Sequence, residues 1–120
     1  MAKIVVIEDE PELRELIVDE LEDAGHHAVE ASDGVEGLAA IKAENPDMII
    51  SDIGMPRMDG YELRRRLQGC ARFSDTPFMF LSAYPPQNAL AEGIDVGAVN
   101  YFTKPVDFGS LLARIETITI

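Results

Sequence analysis

The chain has 120 residues, 47% of them apolar, and a formal net charge of −12 at pH 7. This length suits one domain, and no apolar run approaches the roughly 18 residues of a membrane span, so we expect a soluble protein without a membrane-bound part. The acidic excess disfavours direct binding to nucleic acid, and the single cysteine and lack of a signal-peptide pattern predict a cytoplasmic location.

Strand and helix patterns alternate along the whole chain. Pro11 suits the first turn of a helix and Gly25 its end, while Asp33 and Asp59 each precede an acid at the spacing of a capping box. In chain order, the predicted elements are strand 3–7, helix 11–24, strand 27–31, helix 34–45, strand 48–52, helix 60–70, strand 78–82, helix 87–96, strand 100–103 and a last helix after residue 105.

Five strand–helix repeats with short connections predict an α/β fold. The sheet is expected to be parallel and doubly wound, with helices on both faces. In such sheets, ligands bind beyond the carboxyl ends of the strands. The residues that follow the predicted strands are therefore the candidates for a functional site.

Charged and hydroxyl side chains follow four of the five predicted strands. They are Glu8 and Asp9 after the first strand, Asp52 at the third, Ser82 at the fourth and Lys104 after the fifth. Any one of them could cap a helix or lie in solvent, but their common arrival at one edge of one sheet favours a site.

Carboxylates gathered at this edge would repel one another. Two charges about 5 Å apart cost roughly 3 kcal/mol at an effective dielectric constant near 20. A hard divalent cation with oxygen ligands, such as Mg²⁺, would offset this repulsion and could bridge to a phosphoryl group. A carboxylate held in line with that group is a competent nucleophile, so the pattern indicates an aspartyl-phosphate.

The chain resembles the receiver domain of two-component response regulators over essentially its whole length. The resemblance rests on Glu8-Asp9, on the block from Asp52 to Gly60 (DIGMPRMDG), on Ser82-Ala83, on Tyr101 and on Lys104-Pro105. It implies that residues 1–120 form a single receiver domain with the flavodoxin-like strand order 2-1-3-4-5.

The same resemblance implies a role for each of the site residues. Asp52 would accept a phosphoryl group from a histidine kinase or a histidine phosphotransfer protein. The side chains of Asp9 and Asp52 and the carbonyl of Gly54 would bind Mg²⁺, with Glu8 acting through water. Lys104 would contact the phosphoryl group. The domain would be a signalling module that catalyses its own phosphorylation and dephosphorylation.

The resemblance also implies a switch that controls output. Ser82 would follow the phosphoryl group and Tyr101 would move inward, which alters the face formed by helix 87–96, strand 100–103 and the last helix. Many relatives dimerise there through alternating charges, but residues 84–99 contain no lysine or arginine. We therefore expect this face to serve an effector protein or an appended output domain.

Several alternatives remain open at this point. A flavin or nucleotide binder would need a glycine- or hydroxyl-rich phosphate loop after the first strand, where this chain is acidic. An acyl-phosphate phosphatase would need a second acid where Gly54 lies. The chain could also be a receiver excised from a larger regulator or hybrid kinase, or a degenerate receiver used only for docking.

Overall fold

Five parallel strands form one sheet in the computed structural model, which describes residues 1–83, 91 and 100–119. The strands are β1 (Lys3–Ile7), β2 (His27–Ala31), β3 (Met48–Ser51), β4 (Phe78–Ser82) and β5 (Asn100–Thr103). Their order in the sheet is β2-β1-β3-β4-β5, with every neighbouring pair parallel. The predicted fold class and strand order are therefore confirmed.

Four described helices connect or follow these strands. They are α1 (Pro11–Asp23), α2 (Gly34–Glu44), α3 (Gly60–Gln68) and α4 (Phe108–Thr119). The predicted caps are present, because Asp33 and Asp59 each accept a hydrogen bond from the backbone N–H three residues later. The predicted helix at residues 87–96 lies outside the described residues. None of the four described helices has the length and apolar character that crossing a membrane requires.

The three central strands β1, β3 and β4 are buried on both faces, whereas the edge strands β2 and β5 are partly exposed. Successive strand residues point to opposite faces, and among the described helices two pack on each face. The core shared with α2 and α3 includes Val5, Ile49, Phe78, Phe80, Ile41 and Leu63. The core shared with α1 and α4 includes Val6, Ile50, Leu81, Leu21, Leu111 and Ile115.

The hydrogen-bond ladder of the sheet extends into the residues at its carboxyl edge. The Asp52 N–H donates to the Ile7 carbonyl at 2.9 Å, and the Lys104 N–H donates to the Ser82 carbonyl at 2.8 Å. The Glu8 N–H likewise donates to the carbonyl of Ala31, the last residue of β2, at 3.1 Å. The backbone of the candidate site is therefore positioned by the sheet itself.

Candidate functional site at the carboxyl edge of the sheet

Three carboxylates converge at the carboxyl edge of the sheet. Each of Glu8, Asp9 and Asp52 offers a carboxylate oxygen, and these atoms all lie within 4.8 Å of one another. The Glu8 and Asp52 residues are buried, whereas Asp9 is exposed. The structure thus brings together the three acids that were predicted to meet.

Lys104 lies against the two buried acids. Its Nζ atom is 2.9 Å from Glu8 Oε1 and 3.3 Å from Asp52 Oδ2. The Lys104–Pro105 peptide bond is cis. Burial lowers the pKa of Lys104, but the hydrogen bond to Glu8 and the charge of Asp52 raise it more, so the pKa lies above its ordinary value. The ammonium group is therefore charged and partly neutralises the cluster.

Glu8 is the acid whose ionisation this environment disfavours most. Burial raises the pKa of its carboxyl from the ordinary 4.5 to about 7, and the nearby charge of Asp52 adds to this effect. Hydrogen bonds from the Lys104 side chain and from the Glu10 N–H oppose the shift. The raised pKa therefore reflects mainly the burial of the Glu8 carboxyl, with a smaller contribution from the charge of Asp52.

The donor set fits a hard divalent cation. Carboxylate oxygens are the ligands that Mg²⁺ and Ca²⁺ prefer, and a cation would supply the positive charge that Lys104 alone does not. The exposed carboxylate of Asp9 leaves the cluster open to solvent on that side. The group formed by Glu8, Asp9 and Asp52 could therefore hold a metal ion.

The titration of Glu8 should make the stability of the domain depend on pH. In EDTA, raising the pH from about 5 to about 8 should lower the free energy of unfolding by about 2 kcal/mol through this group. The folded pKa of Glu8, about 7, lies above the ordinary 4.5. The folded state thus binds its proton more tightly, and this stabilisation is lost as the pH rises through 7.

Urea unfolding of wild type and Glu8→Gln at several pH values isolates this contribution, because the substitution removes the titrating group. The difference in free energy of unfolding between the two proteins should change with pH over this window. A constant difference would show that the Glu8 carboxyl has the same pKa in the folded and unfolded states. Added Mg²⁺ should weaken the pH dependence, since a cation favours the ionised carboxylate.

Asp52 is held by contacts to both of its carboxylate oxygens. Its Oδ1 atom accepts a hydrogen bond from the Ile53 N–H at 2.7 Å, and Oδ2 faces Lys104. Gly54, two residues further on, is exposed in the connection between β3 and α3. The Asp52 carboxylate is therefore oriented before any ligand binds.

Ser82 and Tyr101 lie on neighbouring strands, β4 and β5. Ser82 is fully buried, and Tyr101 is half-buried with its ring centroid 6.0 Å from that of Phe80. The pKa of the Tyr101 hydroxyl lies above its ordinary value, because burial and the charge of Asp52 raise it more than a hydrogen bond with the Ser82 side chain lowers it. The two predicted switch residues are thus hydrogen-bonded to each other, and the charge of Asp52 acts on the Tyr101 hydroxyl.

Two residues near the site make contacts that the sequence did not predict. A Cβ atom on Gly60 would overlap the Asp52 carbonyl oxygen and crowd Ile53 Cα. Gly60 follows a helix cap, and a glycine there carries no signal of a close approach. Arg14 donates from Nη1 to the Glu8 carbonyl oxygen at 2.8 Å. An arginine in the second turn of an exposed helix likewise has no distinguishing pattern.

Comparison with known proteins shows which family the chain resembles. The family model described as the response regulator receiver domain matches residues 4–116. The chain is similar to the DNA-binding dual master transcriptional regulator RpaA of Synechocystis sp., with 35% identity covering 98% of this chain and 49% of that protein. It is also similar to the response regulator MprA of Mycobacterium tuberculosis, with 35% identity over 97% of this chain and 50% of that protein.

Solved structures show the same architecture. The chemotaxis protein CheY4 of Vibrio cholerae has a TM-score of 0.89 and 31% identity, covering 98% of both chains. The receiver domain of a histidine kinase from Syntrophus aciditrophicus also has a TM-score of 0.89, with 28% identity over 99% of this chain and 90% of that one. The chain therefore spans about half the length of the transcriptional regulators it matches and nearly all of the solved receiver structures.

Proposed function

Because this chain belongs to the family of response regulator receiver domains, which are signalling modules of two-component systems, we propose that Asp52 is its phosphoacceptor. The donor would be a histidine kinase or a histidine phosphotransfer protein. The observation that carries the proposal is the position of the Asp52 carboxylate. It is oriented by the Ile53 N–H, faces the charged Lys104 and lies in the one acidic group of the described residues that could hold a metal.

The residues around Asp52 would have different roles in phosphoryl transfer. Asp9, Asp52 and the Gly54 carbonyl would hold Mg²⁺, with Glu8 acting through water. The bound ion would neutralise charge on the phosphoryl oxygens. Lys104 already lies 3.3 Å from Asp52 Oδ2 and would contact the transferred group. Asp52 would be the nucleophile, so the domain would promote its own phosphorylation and dephosphorylation.

The output of the switch would depend on Ser82 and Tyr101. A phosphoryl group on Asp52 would compete for the Ser82 hydroxyl, which now shares a hydrogen bond with the Tyr101 side chain. Tyr101 could then repack and alter the face formed by β5 and α4. The third expected part of this face, helix 87–96, lies outside the described residues.

We place an effector protein or an appended output domain at this face rather than a charge-paired second copy. Arg114 on α4 donates to Asn100 Oδ1 at 3.0 Å, and its guanidinium carbon lies 5.7 Å from the centroid of the Phe102 ring. This arginine is thus engaged within its own chain. The net charge of −12 also disfavours direct contact with nucleic acid.

Residues 1–120 would act as a single receiver domain. The match to about half the length of RpaA and MprA favours a receiver that works within a larger regulator. A receiver used only for docking is the second candidate, and it would need none of the contacts that orient Asp52. Phosphoryl uptake distinguishes the two.

Incubation with Mg²⁺ and a small acyl phosphate should add one phosphoryl group to the protein, as measured by intact-mass spectrometry. EDTA should prevent the addition, because the negatively charged donor would then meet uncompensated carboxylates. A domain that stays unmodified in Mg²⁺ with acyl phosphate and with an active histidine phosphotransfer protein would instead be a docking-only receiver.

A further inference from the structure

The connection between β3 and α3 contains a tight turn at Arg57. The Arg57 backbone has a φ of 68°, and the Met58 N–H donates to the Pro56 carbonyl at 2.8 Å. A positive φ with this hydrogen bond between residues two apart is the pattern of a γ-turn, which is rare and strained for a residue other than glycine. Such a conformation persists only where the surroundings impose it.

The Asp33 side chain is one of the groups that hold Arg57 in this conformation. Arg57 Nε lies 2.9 Å and Nη2 lies 2.7 Å from Asp33 Oδ2. The other oxygen, Oδ1, accepts the Glu36 N–H at 2.9 Å and so caps α2. The Glu36 N–H and the Arg57 guanidinium together hold the pKa of the Asp33 carboxyl below its ordinary value. Asp33 is buried but the Arg57 side chain is 56% exposed, so solvent screens this ion pair in part and its geometry rather than its charge carries the argument.

Two glycines, Gly34 and Gly60, make close backbone contacts with the connection between β3 and α3 on either side of Arg57. A Cβ atom on Gly34, the first residue of α2, would overlap the Met58 carbonyl oxygen. The Gly60 N–H donates to the Ile53 carbonyl at 2.8 Å. Residues 53–58 are therefore fixed against the start of α2 on one side and the start of α3 on the other. Gly54 lies within this segment.

We propose that Asp33 and Arg57 are positioning residues that set the conformation of residues 53–58, and with it the affinity of the site for Mg²⁺. The inference rests on the proposed function, in which the Gly54 carbonyl is a metal ligand. Neither residue touches the carboxylate cluster in the contacts described above. They act through the backbone between Asp52 and the turn, as outer-shell partners of a metal site do.

Asp33→Asn tests the pair without removing the helix cap, because asparagine caps a helix about as well as aspartate. Arg57→Gly tests it from the other side, since glycine adopts a positive φ freely while the whole side chain that carries the guanidinium is removed. We expect either substitution to raise the dissociation constant for Mg²⁺ about 10-fold. The double variant should bind no more weakly than the weaker single variant, because both changes break one contact.

The control is Arg66→Ala, which removes another exposed arginine from the groove that Arg57 and Met58 also line, but one that lies 3.9 Å from Glu62 and is not paired with Asp33. Its Mg²⁺ affinity should stay within about twofold of wild type. Isothermal titration with MgCl₂ measures the affinities. Urea unfolding in EDTA shows separately whether each variant is folded, and a merely structural pair would lower the urea midpoint without changing the dissociation constant.

Two outcomes overturn different claims. If wild type binds Mg²⁺ and both Asp33→Asn and Arg57→Gly bind it equally well, the positioning role is wrong and the proposed function stands. If wild type itself does not bind Mg²⁺, the metal-dependent function fails first, and the positioning role fails with it. Weaker binding by both variants, with Arg66→Ala unchanged, supports the pair.

Discussion

Asp52→Asn should take up no phosphoryl group under conditions in which the wild-type domain is modified. The substituted amide keeps an oxygen that can accept the Ile53 N–H, so the local backbone should be unchanged. The amide is not a nucleophile toward phosphorus, and the substitution also removes a metal ligand. Intact-mass spectrometry after incubation with Mg²⁺ and acyl phosphate measures the loss, which should be complete.

The matched control for this experiment is Glu62→Gln, which neutralises a partly exposed acid on α3 outside the carboxylate cluster. It should be modified to the same extent as wild type. A phosphoryl group that persists in Asp52→Asn would move the acceptor to another residue. Loss of modification in both variants would show that the effect follows net charge rather than the identity of the acceptor.

Gly60→Ala should destabilise the domain by roughly 2–3 kcal/mol, although alanine usually favours a helix. The added Cβ would overlap the Asp52 carbonyl oxygen and lie close to Ile53 Cα; both are backbone atoms, and the Asp52 N–H is bonded to Ile7 of β1. Relief would require the start of α3 to move away from the site. The urea midpoint measures the change.

Gly69→Ala provides the comparison, because its added Cβ would lie 3.7 Å from the Arg65 and Arg66 carbonyl oxygens, an ordinary contact. Its backbone φ of −80° suits alanine as well as glycine. We expect a change within about 0.5 kcal/mol. Equal effects at the two positions would mean that the close approach at Gly60 does not restrict side chains there.

Most of the fold follows from local patterns in the sequence. Apolar runs of β-branched and aromatic residues locate the strands, and the capping acids Asp33 and Asp59 locate the starts of two helices. The end of α3 was less certain. It ends at Gln68 rather than near Cys70, with Gly69 as the C-cap residue in a right-handed conformation that the apolar pattern does not predict.

The composition of the site also follows from the sequence, through the rule that parallel strands end at one edge. The contacts within it do not. The sequence predicted that a divalent cation offsets the repulsion between the acids and that Lys104 reaches the same edge, and the structure shows in addition that Lys104 contacts both Glu8 and Asp52. The distances from Nζ depend on the relative positions of β1, β3 and β5, which local patterns do not determine.

The pair of Asp33 and Arg57 was beyond sequence reasoning for a similar reason. The two residues are 24 positions apart, and their contact depends on how α2 packs beside the β3–α3 connection. The strained turn is also hidden, since an arginine is not a residue that predicts a positive φ. The sequence predicts Asp33 only as a helix cap. The structure confirms the cap and adds the contact with Arg57.

The central claim is that Asp52 accepts the phosphoryl group at a metal-dependent site on the carboxyl edge of the sheet. Mapping the modified residue tests it most directly. The domain is phosphorylated with Mg²⁺ and a small acyl phosphate as the donor. The aspartyl phosphate formed on the protein is then reduced with borohydride, and the modified peptide is sequenced by mass spectrometry. We predict modification at Asp52 alone, whereas modification at Asp9, Glu8 or any other residue would contradict the account.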